Sequence, residues 1–138
     1  IALWVKPKTL VSSWIRGIVV QESYLVSGYR FGFNNGGAPT FWTTQSGGTL
    51  TVTSSDILNV NQWNYIVVTY NNLQGYIYLN GKRTGNGTGS YKAGTNRLFI
   101  GAAVNEYFNG TIDEVMIFNK TLTEKQVKSL YELDLSKA

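Results

Sequence analysis

The stretch Trp63-Asn64-Tyr65-Ile66-Val67-Val68-Thr69-Tyr70, followed after a short polar turn by Tyr76-Ile77-Tyr78-Leu79-Asn80-Gly81-Lys82, decides how this chain folds. Both runs are rich in β-branched and aromatic residues, which suit a pleated surface. In the longer run Ile66, Val68 and Tyr70 alternate with their neighbours, so they share one face of a strand. Residues 71–75 separate the two runs with Asn and Gly, residue types that tolerate positive φ. Asn80-Gly81 is the dipeptide preferred in a two-residue hairpin turn. The segment therefore reads as antiparallel sheet.

The same grammar extends in both directions. Strands are predicted over 2–6, 17–22, 29–34, 40–44, 50–53, 63–70, 76–79, 97–100 and 111–118. Tyr29, Phe31 and Phe33 share one face, with Arg30, Gly32 and Asn34 on the other. Asn34-Asn35-Gly36-Gly37 marks a turn, and the polar run 85–94, rich in Gly, Ser and Thr, is expected to be a mobile surface loop. One helix is expected near the end. Thr123 is its N-cap, Gln126 completes a capping box, and Leu122 with Val127 forms a hydrophobic staple. Val127, Leu130, Tyr131 and Leu133 should pack that helix onto the sheets. No repeat or linker interrupts the pattern, so residues 1–138 read as one domain.

Composition narrows the chemistry. The 138 residues suit one domain with its own core, and 43% hydrophobic content excludes a disordered chain. The net charge of +4 comes from scattered Lys and Arg rather than a basic run interleaved with aromatics, so no nucleic-acid partner is expected. No apolar stretch approaches the roughly 20 residues of a spanning helix, so this segment is not expected to insert into a membrane. The absence of Cys rules out disulfides, thiolate metal ligands and a thiol nucleophile. The absence of His removes the commonest general base.

Several motifs, in order along the chain, resemble those of laminin-G-like and pentraxin-like domains. Residues 63–70 and 76–82 are similar to the family's "W-x-x-V-A-V-T-Y … L-Y-V-N-G-K". Arg97-Leu98-Phe99-Ile100-Gly101 resembles its "L-x-I-G" strand. Tyr107-Phe108-Asn109-Gly110-Thr111-Ile112-Asp113-Glu114-Val115 resembles "F-x-G-x-I-D-E-V". Asn119-Lys120-Thr121-Leu122-Thr123 resembles "N-R-A-L-S", and Ala2-Leu3-Trp4-Val5-Lys6-Pro7 resembles "S-A-W-V-K-P". The resemblance implies an all-β, two-sheet antiparallel jelly-roll β-sandwich with one short C-terminal helix. It also implies one or two strands ahead of the Ala2-Leu3-Trp4 motif. The domain is thus expected to lack its first strands and to have an open sheet edge, either because the chain is a fragment or because a segment of a neighbouring chain fills the gap.

Candidate site residues follow from both lines of reasoning. With Phe41 inward, Trp42 should face outward beside Thr40 and Thr44, a stacking platform for a sugar; Tyr24, Tyr91 and Tyr107, in expected loops, would add rims. Ordinary packing of aromatics is the plainer account of the same residues. Trp4 and Trp63 are expected in the core, and Trp14 in a loop anchor or an interface. The resemblance implies a structural Ca²⁺ beside Asp113; by itself the residue reads equally as a carboxylate accepting bonds from loop amides. The sequons at Asn86, Asn109 and Asn119 read equally as chance in an Asn- and Thr-rich chain and as marks of an exported, glycosylated protein, extracellular or at the cell surface. Glycosidic hydrolysis needs two carboxyls flanking the scissile bond, and Asp113 and Glu114, being adjacent, should point to opposite faces. The expected function is a non-catalytic recognition or adhesion module that binds a glycan or a cell-surface protein. The alternative is a structural or assembly domain of a surface layer, filament or virion. A glycoside hydrolase-related domain is the distant third.

Overall fold

The computed structural model describes residues 1–10, 16–23, 26–43, 49–71, 73–103 and 106–137. In chain order the strands are β1 (Ala2–Pro7), β2 (Arg16–Ser23), β3 (Ser27–Phe33), β4 (Pro39–Thr43), β5 (Thr51–Thr53), β6 (Asn64–Asn71), β7 (Gln74–Leu79), β8 (Lys82–Thr88), β9 (Phe99–Ile100), β10 (Ala102–Ala103), β11 (Glu106–Tyr107) and β12 (Gly110–Met116). A helix, α1 (Glu124–Leu133), and a 3-10 turn (Leu135–Lys137) follow. Two antiparallel five-stranded sheets form the sandwich, β12-β1-β6-β7-β8 and β5-β4-β3-β2-β9; β10 and β11 make a small separate hairpin.

The two sheets bury different amounts of surface. In the second sheet Phe31, Phe41, Val19 and Val52 lie opposite one another on the inner face, and Arg30 pairs with Trp42 on the outer face. In the first sheet both faces are covered. Leu3, Val5, Ile66, Val68, Ile77 and Leu79 meet the second sheet. Ala2, Trp4, Tyr65, Val67 and Tyr78 meet α1 and the segment leading to it. That is why Tyr65-Ile66-Val67-Val68 is an unbroken apolar run although Ile66 and Val68 alternate as expected. Trp4, Tyr65 and Tyr131 cluster with ring centroids 4.9 to 6.0 Å apart, which is where α1 is fastened.

Local chemistry explains the joints. Asn80 and Gly81 take φ of 51° and 80°, the expected hairpin geometry, joining β7 to β8. Asn34 Oδ1 accepts from the amides of Gly36 and Ala38, both at 3.0 Å, closing the β3–β4 turn. Thr123 caps α1: its hydroxyl accepts from Gln126 N while Gln126 Oε1 accepts from Thr123 N.

Three expectations change. The polar run beginning at Gly85 is not all loop, since its first four residues belong to β8. A strand with so few side chains forms because its glycines let it lie against β5. A Cβ on Gly85 would sit 2.6 Å from the Thr53 carbonyl oxygen, and one on Gly87 would sit 2.5 Å from that of Thr51. Leu133 does not pack on the sheets but is 82% exposed. It lies six residues from Val127, well off the helical stripe, and Asp134 takes the next in-phase position. Finally, Asp113 and Glu114 do not simply alternate. Glu114 has φ of 50° and the β1–β12 register shifts there, so both carboxyls face the C-terminal segment.

Candidate functional site

Period-two patterning carries Tyr29, Phe31 and Phe33 along the inner face of β3, and Ile66, Val68 and Tyr70 along the inner face of β6. In each case the tyrosine takes the position nearest one end of the sandwich and is half-buried. Tyr91 enters from the segment after β8 and closes the group, with ring centroids 6.3 Å from Tyr29 and 6.0 Å from Tyr70. The backbone around them is pinned. The Tyr70 hydroxyl donates to the Gly89 carbonyl at 3.3 Å, and the Thr43 hydroxyl donates to the Ser90 carbonyl at 2.8 Å.

The tyrosines form one wall of a cleft of about 260 Å³. Its other wall is the segment from Ile117 to Leu122, which runs from β12 to α1. The Thr121 hydroxyl donates to the Tyr70 carbonyl at 2.7 Å and holds that segment against β6. Asn119 and Lys120 are exposed at this wall. Burial, then the nearby Tyr91, pushes the Tyr29 phenol above its ordinary value. The arrangement offers aromatic faces, phenol hydroxyls, an amide and an ammonium around a volume that suits one or two small rings.

The sequence-predicted aromatics do not gather into one site. Tyr91 lines the cleft. Trp42, half-buried, lies on the opposite face of the second sheet, because Phe41 beside it points into the core. Its neighbour Thr40 is 2% exposed and donates its hydroxyl to the Ala38 carbonyl, so it offers nothing to a ligand. On the same outer face Arg30 is ion-paired with Glu22 through both Nε, at 3.1 Å, and Nη2, and reaches Glu106 at 3.4 Å. Tyr107, 72% exposed, is on the separate hairpin β10–β11. Tyr24, Thr44 and Trp14 lie outside the described residues. Trp4 is in the core as expected, whereas Trp63 is half-buried beneath the Lys137 ammonium. Tyr29 and Tyr70 were missed as site residues. The signal was a tyrosine, with its polar tip, in place of a purely apolar residue at the outermost core position of each strand, the first in β3 and the last in β6.

Asp113 accepts from Lys137 Nζ at 2.8 Å through one oxygen and from Glu114 N at 2.8 Å through the other. The Lys137 hydrogen bond, then that amide, holds its carboxyl below the usual range. Glu114 is pushed the other way, first by a hydrogen bond to Asp134. Asp134 Oδ2 is buried with no hydrogen-bond donor among the described residues. Among the described residues there is no group of three or more ligand side chains able to hold a metal ion. With an ammonium already on Asp113, these residues do not fit a Ca²⁺ cage. The sequon residues Asn86, Asn109 and Asn119 are all exposed. Asn86 lies on β8 opposite Tyr76 rather than in a loop.

Comparison with solved structures finds the same architecture in proteins of distant sequence. Domain 4 of AbnA, an extracellular GH43 arabinanase from Geobacillus stearothermophilus solved with arabinotriose, aligns with a TM-score of 0.72 at 20% identity, over 94% of this chain and 64% of that one. A candidate carbohydrate-binding protein from Bacteroides ovatus aligns at 0.64 and 18% identity, over 92% of this chain and 38% of that one. The heptameric SAP-like pentraxin of Limulus polyphemus aligns at 0.63 and 11% identity, over 96% and 69%. The chain thus spans less than two thirds of the first two structures, and at such identities the likeness is one of fold. No curated protein matches the sequence. A family profile does match, over residues 1–128, and with the two-sheet topology it makes this chain a member of the concanavalin A-like lectin/glucanase superfamily.

Proposed function

We propose that this domain is a non-catalytic, extracellular carbohydrate-binding module whose ligand lies in the tyrosine cleft. The observation that carries the proposal is the convergence of Tyr29, Tyr70 and Tyr91 on a cleft of about 260 Å³ with Asn119 and Lys120 opposite. Aromatic faces stack on the apolar faces of sugar rings, and phenol, amide and ammonium groups meet their hydroxyls. The arabinanase domain of similar fold, solved with arabinotriose, supports the same ligand class. Asn119 cannot serve both uses proposed for it, since a glycan attached there would fill the mouth of the cleft. A glycan array followed by calorimetry, in Ca²⁺ and in EDTA, tests the proposal. Binding should appear in both, and Tyr91→Ala should weaken it about tenfold or more, the equivalent of about 1.4 kcal/mol. Absence of any glycan ligand, or a Tyr91→Ala variant that binds like the parent, would overturn it.

A second reading, an assembly domain of a surface structure, is favoured by one observation. Among the described residues β9 and β12 have strand partners on one side only, and Leu98, Phe99, Ile100 and Ile117 beside them are 41 to 52% exposed. Light scattering over a concentration series tests it: growth in mass supports assembly, and a strict monomer counts against it.

A further inference from the structure

The charge of the cleft is one-sided. Of the described residues that line it, Lys120 is the one with a charged side chain, and none carries a carboxylate. Lys120 is exposed and belongs to none of the ion pairs formed among the described residues. Most acids of the neighbouring elements are engaged elsewhere: Glu132 pairs with Lys128, Asp113 with Lys137, and Glu22 and Glu106 with Arg30, while Glu114 bonds to Asp134 and Glu124, at the start of α1, bears on the Tyr78 phenol. Two of the other polar groups of the cleft are already spent on the backbone, the hydroxyls of Thr121 and Tyr70 each donating to a carbonyl, and those that remain, the Tyr29 and Tyr91 phenols and the Asn119 amide, are uncharged. An ammonium across the cleft from three aromatic rings, with no carboxylate among the described lining residues, is a site for a ring that carries negative charge.

We infer that the cleft selects an acidic sugar, one whose ring carries a carboxylate or a sulfate, over the neutral sugar of the same shape, an inference that rests on the glycan-binding reading of the cleft. The tyrosines supply the stacking surface, and Lys120 supplies the discrimination. An exposed ammonium acts partly through long-range attraction, so the selectivity should shrink as salt shortens the screening length.

Calorimetry with three probes of matched length tests this: trigalacturonate, a sulfated galactotriose and neutral galactotriose. The expected result is at least tenfold tighter binding of one or both acidic probes than of the neutral one. The carboxylate and sulfate arms identify which anion is read. Lys120→Gln should abolish the difference between acidic and neutral probes. Lys128→Gln, on the outer face of α1, should leave that difference as it was. Raising salt from 50 to about 500 mM should reduce it severalfold. Equal or tighter binding of the neutral probe, or a preference that survives Lys120→Gln, overturns the inference while leaving the glycan-binding reading intact. If none of the probes binds and a broad neutral and acidic array is also silent, the reading of the cleft falls and the inference with it.

Discussion

The two long edges of this sandwich are built in opposite ways. Along one, β8 of the first sheet lies directly on β5 of the second. Gly85, Gly87 and Gly89 leave room for backbone to meet backbone, the Ser55 amide donates to the Thr84 carbonyl at 2.7 Å, and the buried hydroxyls of Ser54 and Thr84 bond at 2.8 Å. Along the other, β12 and β9 end their sheets, and the contact near them is side chain on backbone: a Cβ on Gly101 would be 3.5 Å from Ile112 Cδ1, an ordinary separation. Here the large apolar side chains, Phe99 and Ile100 among them, are half-exposed. A sandwich closes where small residues let two sheets touch and stays open where bulky ones hold them apart.

That contrast can be broken most forcefully at the closed edge. Gly85→Val or Gly87→Val drives a side chain into a carbonyl oxygen that has no room to move, and should cost about 2–3 kcal/mol in urea unfolding. Ser54→Ala removes the partner of the buried Thr84 hydroxyl and should cost about 1–2 kcal/mol by the same measurement. At the open edge, the double substitution Phe99→Ser with Ile100→Ser should change stability by only about 0.5 kcal/mol, because those side chains are already half in water. A loss there as large as that of Gly85→Val would show that the two edges do not differ as described.

The smallest effect expected is one of pH, on β12. Glu114 is held above its ordinary value of 4.5, so the folded chain holds this proton more tightly than the unfolded chain does. Its stabilising contribution is full below that value and is lost as pH rises through the raised one. Asp113, depressed from 3.8, acts in the opposite sense: its contribution is present above 3.8 and lost as pH falls. Glu114→Gln should therefore flatten the decline of the melting temperature above pH 4.5. Parallel profiles for parent and variant would show that Glu114 is not held above its ordinary value.

How much of this could be read in advance depended on whether the signal was local. The hairpin at Asn80-Gly81, the inward face of β3 and the capping box at Thr123 each rest on residues close together in the chain, and each forms as expected. The strand β8 was hidden, because Gly85 and Gly87 look like loop residues until the carbonyls of Thr51 and Thr53 are known to lie against them. The candidate site divided in the same way. Tyr91 was visible as an aromatic in a polar run, whereas Tyr29 and Tyr70 read as ordinary strand residues of the core.

By itself, then, the sequence determined the all-β class, the main strands, the turns, the cap of the helix and the family. The family rests on the likeness of its motifs, and the rest follow from periodicity and from backbone preferences within a few residues. Only the tertiary structure decided that the first sheet is buried on both faces, that one edge closes through glycine, and that three tyrosines meet at one end while Trp42 stays on the far face. Those outcomes depend on which distant segments pack together. The local pattern of a strand sets its faces but does not say what will lie across from them.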